Sequence, residues 1–155
     1  MIYLDHNATT PLAPEVMAAM DHARSHTWAN PASVHRPGQL ARAQLDAARS
    51  AVAALVGDVS ARDVLLTSGG TEANNMALRS AFVAAGGALV VGRIEHPSIV
   101  RCAEALARDG VAVHWIDPRP DGMLHTRDFD DCFDKVAGPI ALVVIQAVNH
   151  ETGVL

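Results

Sequence analysis

The stretch Leu65-Leu66-Thr67-Ser68-Gly69-Gly70-Thr71-Glu72-Ala73-Asn74-Asn75 limits what this chain can fold into more than any other. An apolar run meets two glycines and then opens a helical pattern, which predicts a strand, a tight turn and a helix. The first N–H groups of a helix have no intrahelical partner, and the positive end of its dipole lies there, so anions settle at such a point. Gly69 and Gly70 carry no Cβ and let the backbone approach a ligand, while the Ser68 and Thr71 hydroxyls can add donors. No lysine follows the glycines, and three spaced glycines are missing, so the two common nucleotide-loop patterns both fail. Two readings stand: a phosphate held by neutral donors, or a strand-to-helix turn that binds nothing.

Composition narrows the rest. With 155 residues and 50% hydrophobic content the chain can bury a core and is not disordered. Aromatics are few, at 4%, and Ala and Val abundant, which suits parallel strands with packed helices. A net charge of −5 without a basic run argues against a nucleic-acid partner. No segment reads as a signal peptide or membrane span, and Cys102 and Cys132 lie far apart, so a cytoplasmic protein with reduced thiols is expected.

Residues 1–13 read as an extended arm, and residues 14–25 as an amphipathic helix with Val16, Met17, Met20 and Ala23 on its apolar side. His22 and His26 stand one turn apart but lack a third ligand, so no metal site is expected. A loop over residues 28–38 precedes a helix over 39–56 with Leu40, Leu45, Val52 and Leu55 inward. The helix over 71–84 ends at Gly86-Gly87, and a buried strand over 88–92 follows, making a right-handed crossover with the strand before the turn. His96 then falls at the carboxyl edge of the sheet, where open α/β sheets bind ligands, just ahead of a helix opened by Pro97 with Ile99, Val100, Ala103 and Leu106 inward. A strand over 111–115, an acid-rich helix over 126–136 and an apolar strand over 140–145, suited to the middle of a parallel sheet, complete the pattern. Lys135, the single lysine, lies among acidic neighbours that keep it charged and hydrated.

Five stretches, in order, resemble the amino-terminal part of cysteine desulfurases, pyridoxal-phosphate enzymes of the class V aminotransferase group. They are Tyr3-Leu4-Asp5-His6-Asn7-Ala8-Thr9-Thr10-Pro11, Asn30-Pro31-Ala32-Ser33-Val34-His35, Thr67 through Asn75, Glu95-His96, and Asn149-His150-Glu151-Thr152-Gly153-Val154. The resemblance implies an α/β fold of three layers, a mainly parallel sheet with flanking helices. Residues 14–155 would form the first part of the large, pyridoxal-phosphate-binding domain, after the arm 1–13. It implies that Gly70 and Thr71 hold the cofactor phosphate and that His96 stacks on the pyridine ring and moves protons. Asn149-His150 matches an Asn-Asn pair whose second member hydrogen-bonds the ring hydroxyl; here that member is His150.

The implied reaction turns L-cysteine into L-alanine and leaves persulfide sulfur for iron–sulfur cluster or thio-cofactor assembly, with a homodimeric enzyme and a sulfur-acceptor or scaffold protein as partners. The lysine that carries the cofactor, the aspartate that pairs with its ring nitrogen and the persulfide cysteine come later in family chains. Lys135, Cys102 and Cys132 match none of them. The 155 residues therefore read as half an active site, inactive alone, with an apolar sheet edge left uncovered. A selenocysteine lyase, another class V transaminase, or a catalytically dead chain with a binding role are the alternatives.

Overall fold

A computed structural model describes residues 2–154 and divides into two compact units, Met1–Leu66 and Thr67–Leu155. In the first unit, helices α1 (Pro14–His26) and α2 (Arg36–Val56) follow an arm with no regular structure, in which the Tyr3 hydroxyl donates to the carbonyls of Asp5 and Thr9. Helix α2 begins three residues earlier than its apolar pattern suggests, because His35 caps it: Nδ1 accepts from the Gly38 N–H at 3.2 Å, and Pro37 fits the first turn. Only glycine fits at position 38, where a Cβ would sit 2.8 Å from the Asn30 carbonyl oxygen.

The inward face expected of α2 is corrected. Its buried residues are Gly38, Ala41 and Ala53, while Leu40, Val52 and Leu55 are exposed. A leucine stripe is buried only where a second layer covers it, and within this unit the contact is made by small side chains at close approach. The strand expected at Leu65-Leu66 does not form either: residues 64–67 have no strand hydrogen bonds, and both leucines are exposed. A strand exists only by pairing, and among the described residues the three paired strands all come after the turn, so no crossover across Gly69-Gly70 forms there.

The second unit carries the α/β architecture. Helix α3 (Gly70–Ala85) leads to β1 (Ala88–Gly92), α4 (Pro97–Arg108), β2 (Val113–Ile116), α5 (Thr126–Phe133) and β3 (Ile140–Val144). The strands are parallel in the order β2-β1-β3. Every residue of β1 is buried, as its apolar run requires of a strand covered on both faces. β1, not β3, is therefore the middle strand; β3 lies at an edge of the described sheet, with Ile140 and Val143 partly exposed.

Strand alternation sorts the core into two layers. Leu89 and Val91 point to one face and pack with Leu78 of α3 and Ile99, Cys102, Ala103 and Leu106 of α4. Val90 points to the other, against Ile116, Cys132, Phe129 and Val136 around α5. Each large apolar side chain so enclosed contributes about 1.5–3 kcal/mol. The start of the sheet depends on Gly87, at φ +98°, where a Cβ would collide with the Pro139 carbonyl that accepts the Ala88 N–H at 2.9 Å.

Candidate functional site

Because β2 and β3 flank β1 on opposite sides, the strand order reverses at β1, and a crevice opens beyond the carboxyl ends of β1 and β3. Two loops line it, residues 93–96 after β1 and residues 145–150 after β3. Buried polar contacts tie them together. The Gln146 N–H donates to Glu95 Oε1 at 2.5 Å, the Gln146 side-chain amide donates to the Ile94 carbonyl, and Asn149 Nδ2 donates to the same carbonyl at 2.9 Å. Glu95 and Asn149 are both buried. Burial pushes the Glu95 carboxyl up from its ordinary range, and the Gln146 N–H partly offsets this.

This lacing brings the two candidate histidines together: the rings of His96 and His150 lie 5.2 Å apart, tilted by 48°. Asn149 itself is turned inward. Its Oδ1 accepts from the N–H groups of Glu151 and Thr152, both at 2.9 Å, and from the Thr152 hydroxyl at 3.1 Å, so both ends of its amide hold the loop that presents His150. His150 Nε2 stands 3.4 Å from Glu151 Oε1.

His96 is exposed at the head of α4, where its Nδ1 accepts from the Ser98 N–H at 3.1 Å. It shares a groove of about 400 Å³ with Thr71, Asn75, Arg79, Ser98 and Arg101. Thr71, the second residue of α3, thus lines the same groove as His96, and the two arginines give it positive charge. A Cβ added at Gly69 or Gly70 would meet no protein atom within 4 Å, so the glycine side of the helix start is open to a ligand.

One expected donor is committed elsewhere. Ser68 gives both its N–H and its hydroxyl to Glu72 Oε2, each at 2.7 Å, and these bonds hold the Glu72 carboxyl below its usual range, the hydroxyl first. A carboxylate in the first helical turn takes up the amide one turn back, which leaves the Gly70 and Thr71 end of the turn for an incoming anion. The lacing residues Glu95 and Gln146, and the Asn74–Ser98 contact at 2.8 Å, were not legible as site residues. Only the place of Glu95 immediately before His96 hinted at the first. Lys135 lies just ahead of β3, at the amino end of the sheet and so away from the crevice. Among the described residues no helix is long and apolar enough to cross a membrane, and no three His, Cys, Asp or Glu side chains cluster as a metal would need.

The fold defines an α/β protein whose parallel sheet carries His96 and His150 at its carboxyl edge, with the start of α3 lining a groove beside His96. Residues 2–155 match the family model of the class V aminotransferases, and the chain belongs to that family. It is similar to a cysteine desulfurase of Frankia sp. (strain EuIK1), with 40% identity over an alignment covering 99% of this chain and 38% of that protein. Among solved structures, the NifS-like protein from Rickettsia africae ESF-5 superposes on the whole chain and on 42% of its own length, with a TM-score of 0.84 and 28% identity. SspA in complex with cysteine superposes with a TM-score of 0.80 and 26% identity, over 96% of this chain and 43% of that one. The chain thus spans about two fifths of the relatives it matches.

Proposed function

We propose that this chain supplies the phosphate turn and the ring-facing histidine of a pyridoxal-phosphate-dependent cysteine desulfurase, which takes sulfur from L-cysteine and leaves L-alanine. The observation that carries the reading is the groove shared by Thr71 and His96, with the His150 ring 5.2 Å from that of His96. The residues fit the cofactor. The backbone N–H groups and hydroxyl at Gly70 and Thr71 would take its phosphate at the positive end of α3, where a dianion needs no lysine. His96 presents a flat ring whose nitrogens can hold or pass a proton, and His150 offers a hydrogen bond from across the crevice.

Pyridoxal phosphate, when bound, supplies the electron sink for the reaction. In this reading the chain orients the cofactor by its phosphate, with His96 against the ring holding or passing a proton at Nε2, and Asn149 keeping the His150 loop in place. Turnover would further need a lysine, an aspartate and a sulfur-carrying cysteine at the crevice, roles that Lys135, Cys102 and Cys132 do not fill; both cysteines are buried. The same reading makes residues 1–13 an arm and residues 14–155 part of the cofactor domain of a cytoplasmic homodimer that hands sulfur to an acceptor or scaffold protein. The test is alanine formation from L-cysteine by the full-length enzyme and its His96→Ala variant. A loss of roughly 100-fold or more in kcat with the fold intact is expected of a group that moves protons. Wild-type turnover in the variant would remove His96 from the reaction, and turnover with L-selenocysteine but not L-cysteine would move the enzyme to the lyases.

A further inference from the structure

We propose that Asn74 and Ser98 are positioning residues for His96, forming a directed hydrogen-bond relay that decides which nitrogen of its ring carries the proton. The proposal deepens the reading of His96 given above and rests on it for its functional meaning, but not for its geometry.

The packing of α3 against α4 through Leu78, Ile99 and Cys102 brings Asn74, one turn into α3, beside the first turn of α4. There Asn74 Nδ2 donates to Ser98 Oγ at 2.8 Å. Ser98 Oγ in turn lies 2.8 Å from His96 Nδ1, and the Ser98 N–H reaches the same nitrogen at 3.1 Å. A backbone N–H can only donate, so Nδ1 is an acceptor and carries no proton. The serine hydroxyl, already accepting from the Asn74 amide, has its own proton left to give, and it points at Nδ1 as well. Two donors converge on one lone pair, and the neutral ring must carry its proton on Nε2. The Nδ1 edge is closed by the protein, which makes Nε2 the nitrogen that meets a ligand.

The direction of the relay depends on residue 74 being an amide. A carboxylate of the same shape there can only accept. It would draw the Ser98 proton to itself and leave the hydroxyl able to accept from Nδ1–H, so that only the Ser98 N–H still holds Nδ1 as an acceptor and the preference for Nε2–H weakens. Asn75, the next residue, takes no part: its Nδ2 donates to the Thr71 carbonyl at 2.9 Å.

The experiment labels the histidines of the full-length protein with 15N, the eight of these 155 residues among them, and assigns His96 from the peak lost in His96→Gln. Ring shifts are read about two pH units above the ordinary imidazole pKa, where the neutral form dominates. The wild type is expected to show the Nε2–H tautomer. Asn74→Asp should move the tautomer ratio toward Nδ1–H by roughly threefold to tenfold, the worth of one hydrogen bond, and Ser98→Ala by about threefold. Ser98→Thr keeps the hydroxyl and should leave the ratio unchanged. Far-UV circular dichroism checks that each variant is folded, and Ser98→Ala decides the matter if Asn74→Asp is not.

In the cofactor-loaded full-length enzyme, Asn74→Asp should lower kcat with little change in the KM for L-cysteine. An Nδ1–H wild type, or a ratio that neither Asn74→Asp nor Ser98→Ala changes, overturns the relay. The expected tautomer shifts together with full turnover in His96→Ala would keep the relay and overturn the functional reading instead.

Discussion

Replacing Asn149 with alanine should destabilise the second unit by about 2–3 kcal/mol, a figure that follows from where each of its four side-chain hydrogen bonds ends. Taken at face value, four bonds at roughly 0.5–1.5 kcal/mol each would total up to about 6 kcal/mol. Two features reduce this. The Ile94 carbonyl keeps the donor from Gln146, so losing Nδ2 does not orphan it. Glu151 and Thr152 are exposed, so their N–H groups and the threonine hydroxyl can turn to water once Oδ1 is gone. What remains is the bond across the two loops, the local turn around Oδ1, and the space left by a buried side chain. The main-chain bonds from Asn149 N–H to the Val154 carbonyl and from Gly153 N–H to the Asn149 carbonyl, both 2.8 Å, survive the substitution. Asn149→Asp separates the terms, because it keeps the acceptor and removes the donor, setting a carboxylate against the Ile94 carbonyl. Urea unfolding would follow Trp115 in a Trp28→Phe background; Trp115 is on β2, with the Arg93 guanidinium 4.4 Å from its ring centroid, and so reports on this unit. An Asn149→Ala variant within about 0.5 kcal/mol of wild type, the range of an ordinary surface substitution, would refute the claim that this amide holds the loop.

Glu95 makes stability pH-dependent with a definite sign. Its folded pKa is raised, so the folded chain binds the proton more tightly than the unfolded one; its contribution is full below the unfolded carboxylate range and is lost as pH rises through the raised value. The stability of wild type relative to Glu95→Gln should therefore fall as pH rises above the ordinary glutamate range and through the raised folded value, and a difference that stays flat or grows over that rise contradicts the assignment. Gly87→Ala should cost about 1–3 kcal/mol or more, from the positive φ and the Pro139 carbonyl together, read as a lowered unfolding midpoint; a neutral result would mean that β1 and β3 start differently. Thr71→Val should weaken pyridoxal phosphate binding by roughly tenfold to a hundredfold in equilibrium titration, since a hydroxyl bonded to a charged group is worth about 1.5–3 kcal/mol; unchanged affinity would put the phosphate elsewhere.

Local chemistry made much of the second unit legible. The unbroken apolar run of β1, Pro97 behind His96, and the apolar spacing at Ile99, Ala103 and Leu106 each specify their element without distant help, and all appear where expected. The failures are non-local. Leu65-Leu66 has strand composition but no partner strand, and the apolar run of β3 says nothing of which side of β1 it will join. In α2 the leucines mark an apolar face, yet only the alanines and Gly38 approach a neighbour closely enough to be buried. The site divides in the same way. His96 and the Gly70-Thr71 helix start could be named from the chain, because a cap, a glycine pair and the end of a strand are local features. Their shared groove could not, nor the Asn74–Ser98 contact across 24 residues, nor the lacing of Glu95 to Gln146 across 51. By itself the sequence determined which groups could do chemistry and the elements that carry them, since propensity, capping and periodicity act over a few residues. Tertiary structure alone decided which of those groups meet, because strand order and helix packing place donors and acceptors that no local rule connects.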